Sequence, residues 1–256
     1  MTRHLYITTI VVAAALAIAA CGPSAPTKPE LTDPKAIIGA AATEAAAARG
    51  VHVDISVDGS LTVDLLGTGG GGPVDLTGTT ASADVAIGTG DARVTFAIGS
   101  VLRGELRNVG GKAYLKTTLT GAQYQVQEGV PIIAPNAIPA ALDTLLELLD
   151  QPGITPVMGA DVECAGGTCY RVTLSVALDD LAGLGVGIPA GLPIDLDGGS
   201  VDLAIDVTRD TNDLAGLEAV LTQSEGQTLT LVATFSKWDD EVVVEAPPAD
   251  QVAPVG

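Results

Sequence analysis

Aromatic residues are nearly missing from this chain, at 3% of 256 residues, and charged residues are scarce at 17%. Histidine occurs twice and cysteine three times. His4 lies just ahead of an N-terminal apolar run, which leaves His52 alone in the body of the chain. A single histidine supports neither a two-His metal site nor a nucleophile relay with a ligand to spare. His52 falls on the polar face of a predicted strand and reads as a solvated side chain. No serine sits in a G-x-S-x-G elbow. The glycine tract Gly69–Gly72 runs into Pro73 and not into Lys-Ser/Thr, so it is no phosphate loop. Asp195–Gly198 and Asp210–Asp213 are short of a calcium loop ending in Glu and read as turns. Cations are few, 12 against 31 acids, for a net charge of −19. Such a surface is not expected to seek nucleic acid or anionic headgroups by charge. No catalytic residue, metal ligand set or cofactor motif is identified, and the expectation is that the protein is not an enzyme. Carboxylate pairs exist, but nothing in the pattern singles one out.

What the chain does have begins at its N-terminus. Arg3 precedes an uncharged apolar run from about Ile7 to Ala20, short for a transmembrane span and laid out like a secretory signal over residues 1–20. It stops at Ile18-Ala19-Ala20-Cys21, which resembles the lipobox of bacterial lipoproteins. The small residues admit a peptidase to the backbone, and the Cys21 thiol accepts the lipid. An ordinary signal with a coincidental cysteine, or an uncleaved anchor, is the alternative. The lipobox reading makes Cys21 the lipid anchor and places the protein on the outer face of a membrane, exported through the secretory pathway. Two acyl chains suffice for stable anchoring at about 0.8 kcal/mol per buried methylene. Residues 21–32, rich in Pro, Ser and Thr, read as a lipidated tether. Residues 33–248 then read as one domain, with 249–256 as a tail.

Asp33-Pro34 opens a predicted helix over 35–49, with Gly50 ending it. From Val51 the apolar period changes to two, and Gly59-Ser60 reads as a turn. Strand-like runs follow at about 76–87, 92–99, 101–108 and 112–119, the last two joined at Val109-Gly110-Gly111. A proline-bearing loop at 129–139 leads to an amphipathic helix over 140–149. Cys164 and Cys169 flank Ala-Gly-Gly-Thr between alternating runs. In an oxidising compartment they read as a hairpin disulfide; a metal or redox site is the alternative, with no CxxC or nearby His to support it. Residues 179–198 are apolar but broken by Gly and Pro, and 199–208, 214–222, 227–236 and 241–245 close the chain as strands. Runs of strands with a few segregated helices predict an α+β fold on a mainly antiparallel sheet.

An interior so aliphatic has two readings, a packed alanine-rich core or a cavity for acyl chains. Acyl chains need smooth aliphatic walls, since an unpaired buried polar atom costs about 1–3 kcal/mol. The stretch LTLVATFSKWDDEVVVEAPPADQ (229–251) strongly resembles the closing strands of the LppX/LprA/LprF/LprG family of actinobacterial lipoproteins. The matching residues are Phe235, Ser236, Lys237, Trp238, Asp239, Val242, Val244, Pro247 and Pro248. The segments IIGAAATEAAAARGVHVDISVDG, NVGGKAYLK (108–116) and CYRVTLSV (169–176) are also similar to the family. The resemblance implies a strongly curved antiparallel β half-barrel with helices packed on the concave face. It also implies a hydrophobic cavity between sheet and helices that holds acylated lipids or glycolipids, and a role in carrying them through the cell envelope. The wall positions expected from the apolar strand faces are Val53, Ile55, Val57, Val201, Leu203, Ile205, Leu231, Ala233 and Phe235. The ligand would be an acylated lipid or glycolipid, with any transporter partner in the envelope unnamed. A surface or structural lipoprotein of the same fold without cargo is the second reading.

Overall fold

The computed structural model describes residues 30–63, 72–128, 133–178, 198–223 and 226–254. The predicted signal at 1–20, Cys21 and nearly all of the tether lie outside them, as do most of the glycine loop at 67–73 and residues 179–197. Leu31–Gly256 forms one compact unit, and both of its hydrophobic clusters are made of its own residues.

Helix α1 spans Pro34–Ala47. Asp33 caps it by accepting the Ala36 N–H at 2.8 Å, and Pro34 sits in the first turn, where a missing N–H costs nothing. The helix ends at Ala47, earlier than expected, because Ala48 is already extended. Gly50 is therefore no helix terminator but the first residue of strand β1, Gly50–Val63. Its lack of a Cβ serves a close approach: a methyl there would lie 2.6 Å from the Asp240 carbonyl oxygen.

The remaining strands are β2 (Gly72–Asp75), β3 (Thr79–Ala86), β4 (Ala92–Ile98), β5 (Leu102–Val109), β6 (Lys112–Thr117) and β7 (Gln125–Glu128). After helix α2 (Ala137–Leu149) come β8 (Val157–Met158), β9 (Val162–Cys164), β10 (Gly167–Ala177), β11 (Ser200–Thr208), β12 (Leu214–Thr222) and β13 (Thr228–Ser236). They form one sheet in the order β7-β6-β5-β4-β3-β1-β13-β12-β11-β10-β8, with β2 on β1 and β9 on β10. Every ladder pairs antiparallel. The sheet is open and curved, an α+β half-barrel with the two α-helices of the described residues on the concave face.

Three further expectations change in the sheet and its connections. Gly59-Ser60 is not a turn: β1 runs through it, paired with β13 as far as Gly59 and with β2 from Ser60 on. Gly59 has φ +113°, and a Cβ there would sit 2.1 Å from the Thr228 carbonyl oxygen, so the glycine kinks the strand without reversing it. Helix α2 begins at Ala137, not at 140, because Pro139 falls in its first turn. Residues 241–245 keep an alternating burial pattern but pair in no ladder. That segment crosses the strands instead of running beside one. Val242 lies over Gly50 of β1, Glu245 accepts from the Arg107 guanidinium of β5 at 3.1 Å, and Val252 bridges Tyr124. The expected tail is thereby attached to the sheet, with Tyr124 N–H donating to the Gln251 carbonyl at 2.7 Å and Ala253 N–H to the Tyr124 carbonyl at 2.8 Å.

Candidate functional site

Period-two alternation sends the apolar residues of each long strand to the helix-bearing face, and the ladder register aligns them into rows. One row runs Val172–Ile205–Leu217–Ala233–Ile55–Ala81–Phe96 across seven strands. The next runs Leu174–Leu203–Ala219–Leu231–Val57. All nine wall positions named from the sequence lie on this one face: Val53 beside Phe235, Ile55 beside Ala233, Val57 beside Leu231, and Val201, Leu203 and Ile205 on β11. Ile205, Ala233 and Val53 are buried, while Val57, Val201, Leu203, Leu231 and Phe235 keep partial exposure.

Helix α1 covers the β10–β12 end of the face. Its Ile37, Ile38 and Ala41 are fully buried among Tyr170, Val172, Ile205, Val207 and Leu214. Helix α2 spans further, with Leu142, Leu148 and Leu149 in that cluster and Ile138 in a second one built on Val51, Val53, Ala83 and Val85. The loop ahead of α2 is pinned by buried Asn108, whose side-chain amide donates to the Gly90 carbonyl at 2.6 Å and the Ile133 carbonyl at 3.3 Å. Asn136 N–H donates to the Ile87 carbonyl at 2.8 Å.

Between α2 and strands β11–β13 lies a cavity of about 450 Å³. The helix contributes Ala137, Ile138, Ala141, Leu142, Thr144, Leu145 and Leu148, and the sheet contributes Leu203, Leu214, Leu217 and Phe235. Thr144 is the one polar side chain among these, and its hydroxyl is already spent on the Ala140 carbonyl at 2.9 Å. Of the nine expected wall residues, Leu203 and Phe235 line this cavity; the others floor the adjoining face. The helix wall was missed, although Ile138, Leu142, Leu145 and Leu149 recur at helical spacing in the sequence. Leu214 and Leu217 were missed for a different reason. Three residues apart, they belong to opposite faces of a regular strand. A register shift between Asp206 and Val207, which pairs Val207 with Leu214 and Asp206 with Gly216, turns both inward. Trp238 holds the bulge, its indole N–H donating to the Leu214 carbonyl at 2.8 Å and its ring stacking on Phe235 at 6.2 Å.

The outward face is polar and knitted by ion pairs. Arg171 grips Asp206 with two bonds of 2.8 and 2.7 Å. Burial opposes the charge on Glu105, but the Arg107 hydrogen bond and the charges of Arg107 and Arg93 outweigh it and hold the carboxyl below its ordinary value. Two clefts of about 530 and 490 Å³ on this face are lined in part by Asp54, Ser56, Thr80 and Ser82, and by Thr173, Ser175, Asp202 and Glu218. Their walls mix polar side chains with apolar ones, whereas the space under α2 is almost wholly apolar. His52 is not the solvated side chain expected from sequence. It is 18% exposed, with Nδ1 2.6 Å from Asp84, and with Nε2 3.3 Å from Asp54 and 3.5 Å from Ser82 Oγ. The Ser–His–Asp composition is superficial, because the nitrogen a nucleophile needs is already shared with Asp54; the cluster ties β1 to β3. Among the described residues no group of His, Cys, Asp and Glu is arranged to hold a metal ion, and no helix is long and apolar enough to cross a membrane. Cys164 and Cys169 are bonded, with Cα atoms 6.0 Å apart, closing the β9–β10 hairpin.

No family model matches the chain, and no curated protein is significantly similar to it. Solved structures are. LprF from Mycobacterium bovis, 15% identical, superposes with a TM-score of 0.53 over 85% of this chain and 98% of that one. The Mycobacterium tuberculosis lipoprotein LppX, 14% identical, superposes with a TM-score of 0.51 over 83% and 98%. The chain thus has the fold of LprF and LppX, two members of the family that the closing strands resemble.

Proposed function

We propose that this LprF- and LppX-like half-barrel binds an acyl chain in the cavity beneath α2 and carries or presents acylated lipid or glycolipid in the cell envelope. On this reading the chain is exported, lipidated on Cys21 and held on the outer face of a membrane. The observation that carries the proposal is the cavity itself: about 450 Å³ with no unpaired polar side chain on its described walls. A dry aliphatic space of that size fits the range of small-molecule sites and offers nothing to a polar ligand. Taking a methylene as about the size of a liquid water, about 30 Å³, the space holds roughly fifteen methylenes. That is one acyl chain. At about 0.8 kcal/mol per methylene its burial offsets about 12 kcal/mol of exposure to water. Binding of this kind needs no cofactor and no catalytic group, and we propose no enzymatic activity.

The test is native mass spectrometry of the domain starting at Glu30, purified from an actinobacterial host. The expected result is a co-purifying mass that organic extraction resolves into an acylated lipid. A clean apo mass, with no uptake of a fluorescent fatty acid, refutes the carrier reading in favour of a surface lipoprotein without cargo. Anchoring is tested separately: Cys21→Ala should move the protein from the membrane fraction to the soluble one.

A further inference from the structure

Whole-chain charge conceals a local reversal. Between Ala92 and Thr117 the chain carries Arg93, Arg103, Arg107, Lys112 and Lys116 against a single acid, Glu105, in a protein of net charge −19. The register puts Arg93, Arg103, Arg107 and Lys116 together on the outward face of β4–β6, since Arg93 pairs with Arg107, Ala97 with Arg103 and Glu105 with Lys116. Glu105 is taken by Arg93 and Arg107, at 3.0 and 2.8 Å. Among the described residues Arg103 has no acidic partner, and Lys116 has only the Tyr124 ring, 4.5 Å from its ammonium.

Beside these two cations lie the two most exposed large aliphatic side chains among the described residues. Val101, in the β4–β5 turn, and Leu119, between β6 and β7, are each 79% exposed, and Ile98 is 39% exposed. The two turns are neighbours, joined by Thr118 N–H donating to the Arg103 carbonyl at 2.9 Å. Projecting aliphatics at the tips of adjacent hairpins, with cations immediately behind them, match the layering of an anionic bilayer: acyl region outermost, phosphates one step back. A purely polar acidic surface would satisfy the cations but leave Val101 and Leu119 in water.

We infer that the β4–β5 and β6–β7 tips dock on an anionic lipid surface, Val101 and Leu119 entering the headgroup–acyl boundary and Arg103 and Lys116 meeting lipid phosphates. One step beyond the Thr80–Ala97 pair, Ile98 stands level with Thr79 and Val57, whose row continues through Leu231 and Ala219 to the cavity residue Leu203. Docking thus sets the end of a row that is aliphatic but for Thr79 against the membrane, but it does not depend on the cavity holding a ligand.

The test is co-sedimentation of the domain from Glu30 onward, which contains both of its hydrophobic clusters, with vesicles of phosphatidylcholine alone or mixed equally with phosphatidylglycerol. The wild type should bind the mixed vesicles and bind the neutral ones far less. Arg103→Ser and Lys116→Ser should each weaken partitioning about fivefold, an effect that disappears at about 1 M salt. Val101→Ser and Leu119→Ser should each weaken it about tenfold, at any salt. Val101, Arg103 and Leu119 are exposed and Lys116 is half-buried over the Tyr124 ring, so melting temperatures should hold for the first three, and fatty-acid uptake in vesicle-free buffer should be unchanged whether or not the carrier reading stands. Absence of wild-type binding to mixed vesicles overturns the inference, as does binding indifferent to both pairs of substitutions. A dimer that Val101→Ser and Leu119→Ser dissociate, without vesicle binding, overturns it in favour of a second copy on this face.

Discussion

Leu203→Trp should convert the cavity into a ruler of acyl length. Leu203 points from β11 into the space under α2 and keeps partial exposure, so a larger side chain there extends into the cavity and not into packed neighbours. The indole adds six non-hydrogen atoms, filling roughly the space of four methylenes, about 120 Å³ of the 450 Å³ available. Capacity then falls from roughly fifteen methylenes to about eleven. At about 0.8 kcal/mol per methylene, a palmitoyl chain that must leave its last methylenes in water loses about 3 kcal/mol, a factor of more than 100 in affinity. A decanoyl chain still fits and should bind within a few-fold of wild type. Displacement of a fluorescent fatty acid by a series of straight-chain acids measures both numbers in one experiment, with thermal melting to verify the fold. Equal losses for palmitate and decanoate would refute the reasoning, and so would undiminished palmitate binding. Either result places the acyl chain somewhere other than beneath α2.

Removing the disulfide by paired Cys164→Ser and Cys169→Ser should cost about 2 kcal/mol on the chain-entropy account of a short closed loop, readable as a drop in denaturant midpoint with unchanged slope. Gly59→Ala should destabilise more than an ordinary surface substitution, by about 2 kcal/mol or more. The new Cβ would meet the Thr228 carbonyl oxygen at 2.1 Å at a φ of +113°, and an unchanged melting temperature would contradict the kink assigned to that residue. Glu105 titrates below its ordinary 4.5 in the folded protein, so the stability it adds is whole above that pH and is lost as pH falls through the lowered folded value. Glu105→Gln should therefore lower the melting temperature at neutral pH, the gap to wild type closing in acid. A gap that widens in acid would reverse the sign.

Much of this architecture is written in local pattern. The change from helical spacing in Ile37, Ile38 and Ala41 to strict alternation at Val51, Val53 and Ile55 marks the α1–β1 boundary, and Asp33-Pro34 marks the helix start by its capping chemistry. Alternation also decides which strand residues share a face, which is why all nine wall positions came out together. Alternation cannot say what covers that face. Whether Leu203 meets a packed side chain or open space depends on how far α2 stands from the sheet, and that is set by the loop that Asn108 and Ile87 hold. The bulge that brings Leu214 and Leu217 to one side is equally invisible, because it lies in the pairing of two strands and not in either strand alone. The crossing of 241–245 is a third case: Val242 and Val244 have the spacing of a strand, but no ladder lies beside them. Charge follows the same division. Composition set the net value of −19, while only the sheet register gathered Arg103 and Lys116 behind Val101 and Leu119. Periodicity is a property of neighbouring residues and survives in one dimension; cavities, bulges and patches are made by residues far apart in the chain, so they exist only once the sheet has curved around its helices.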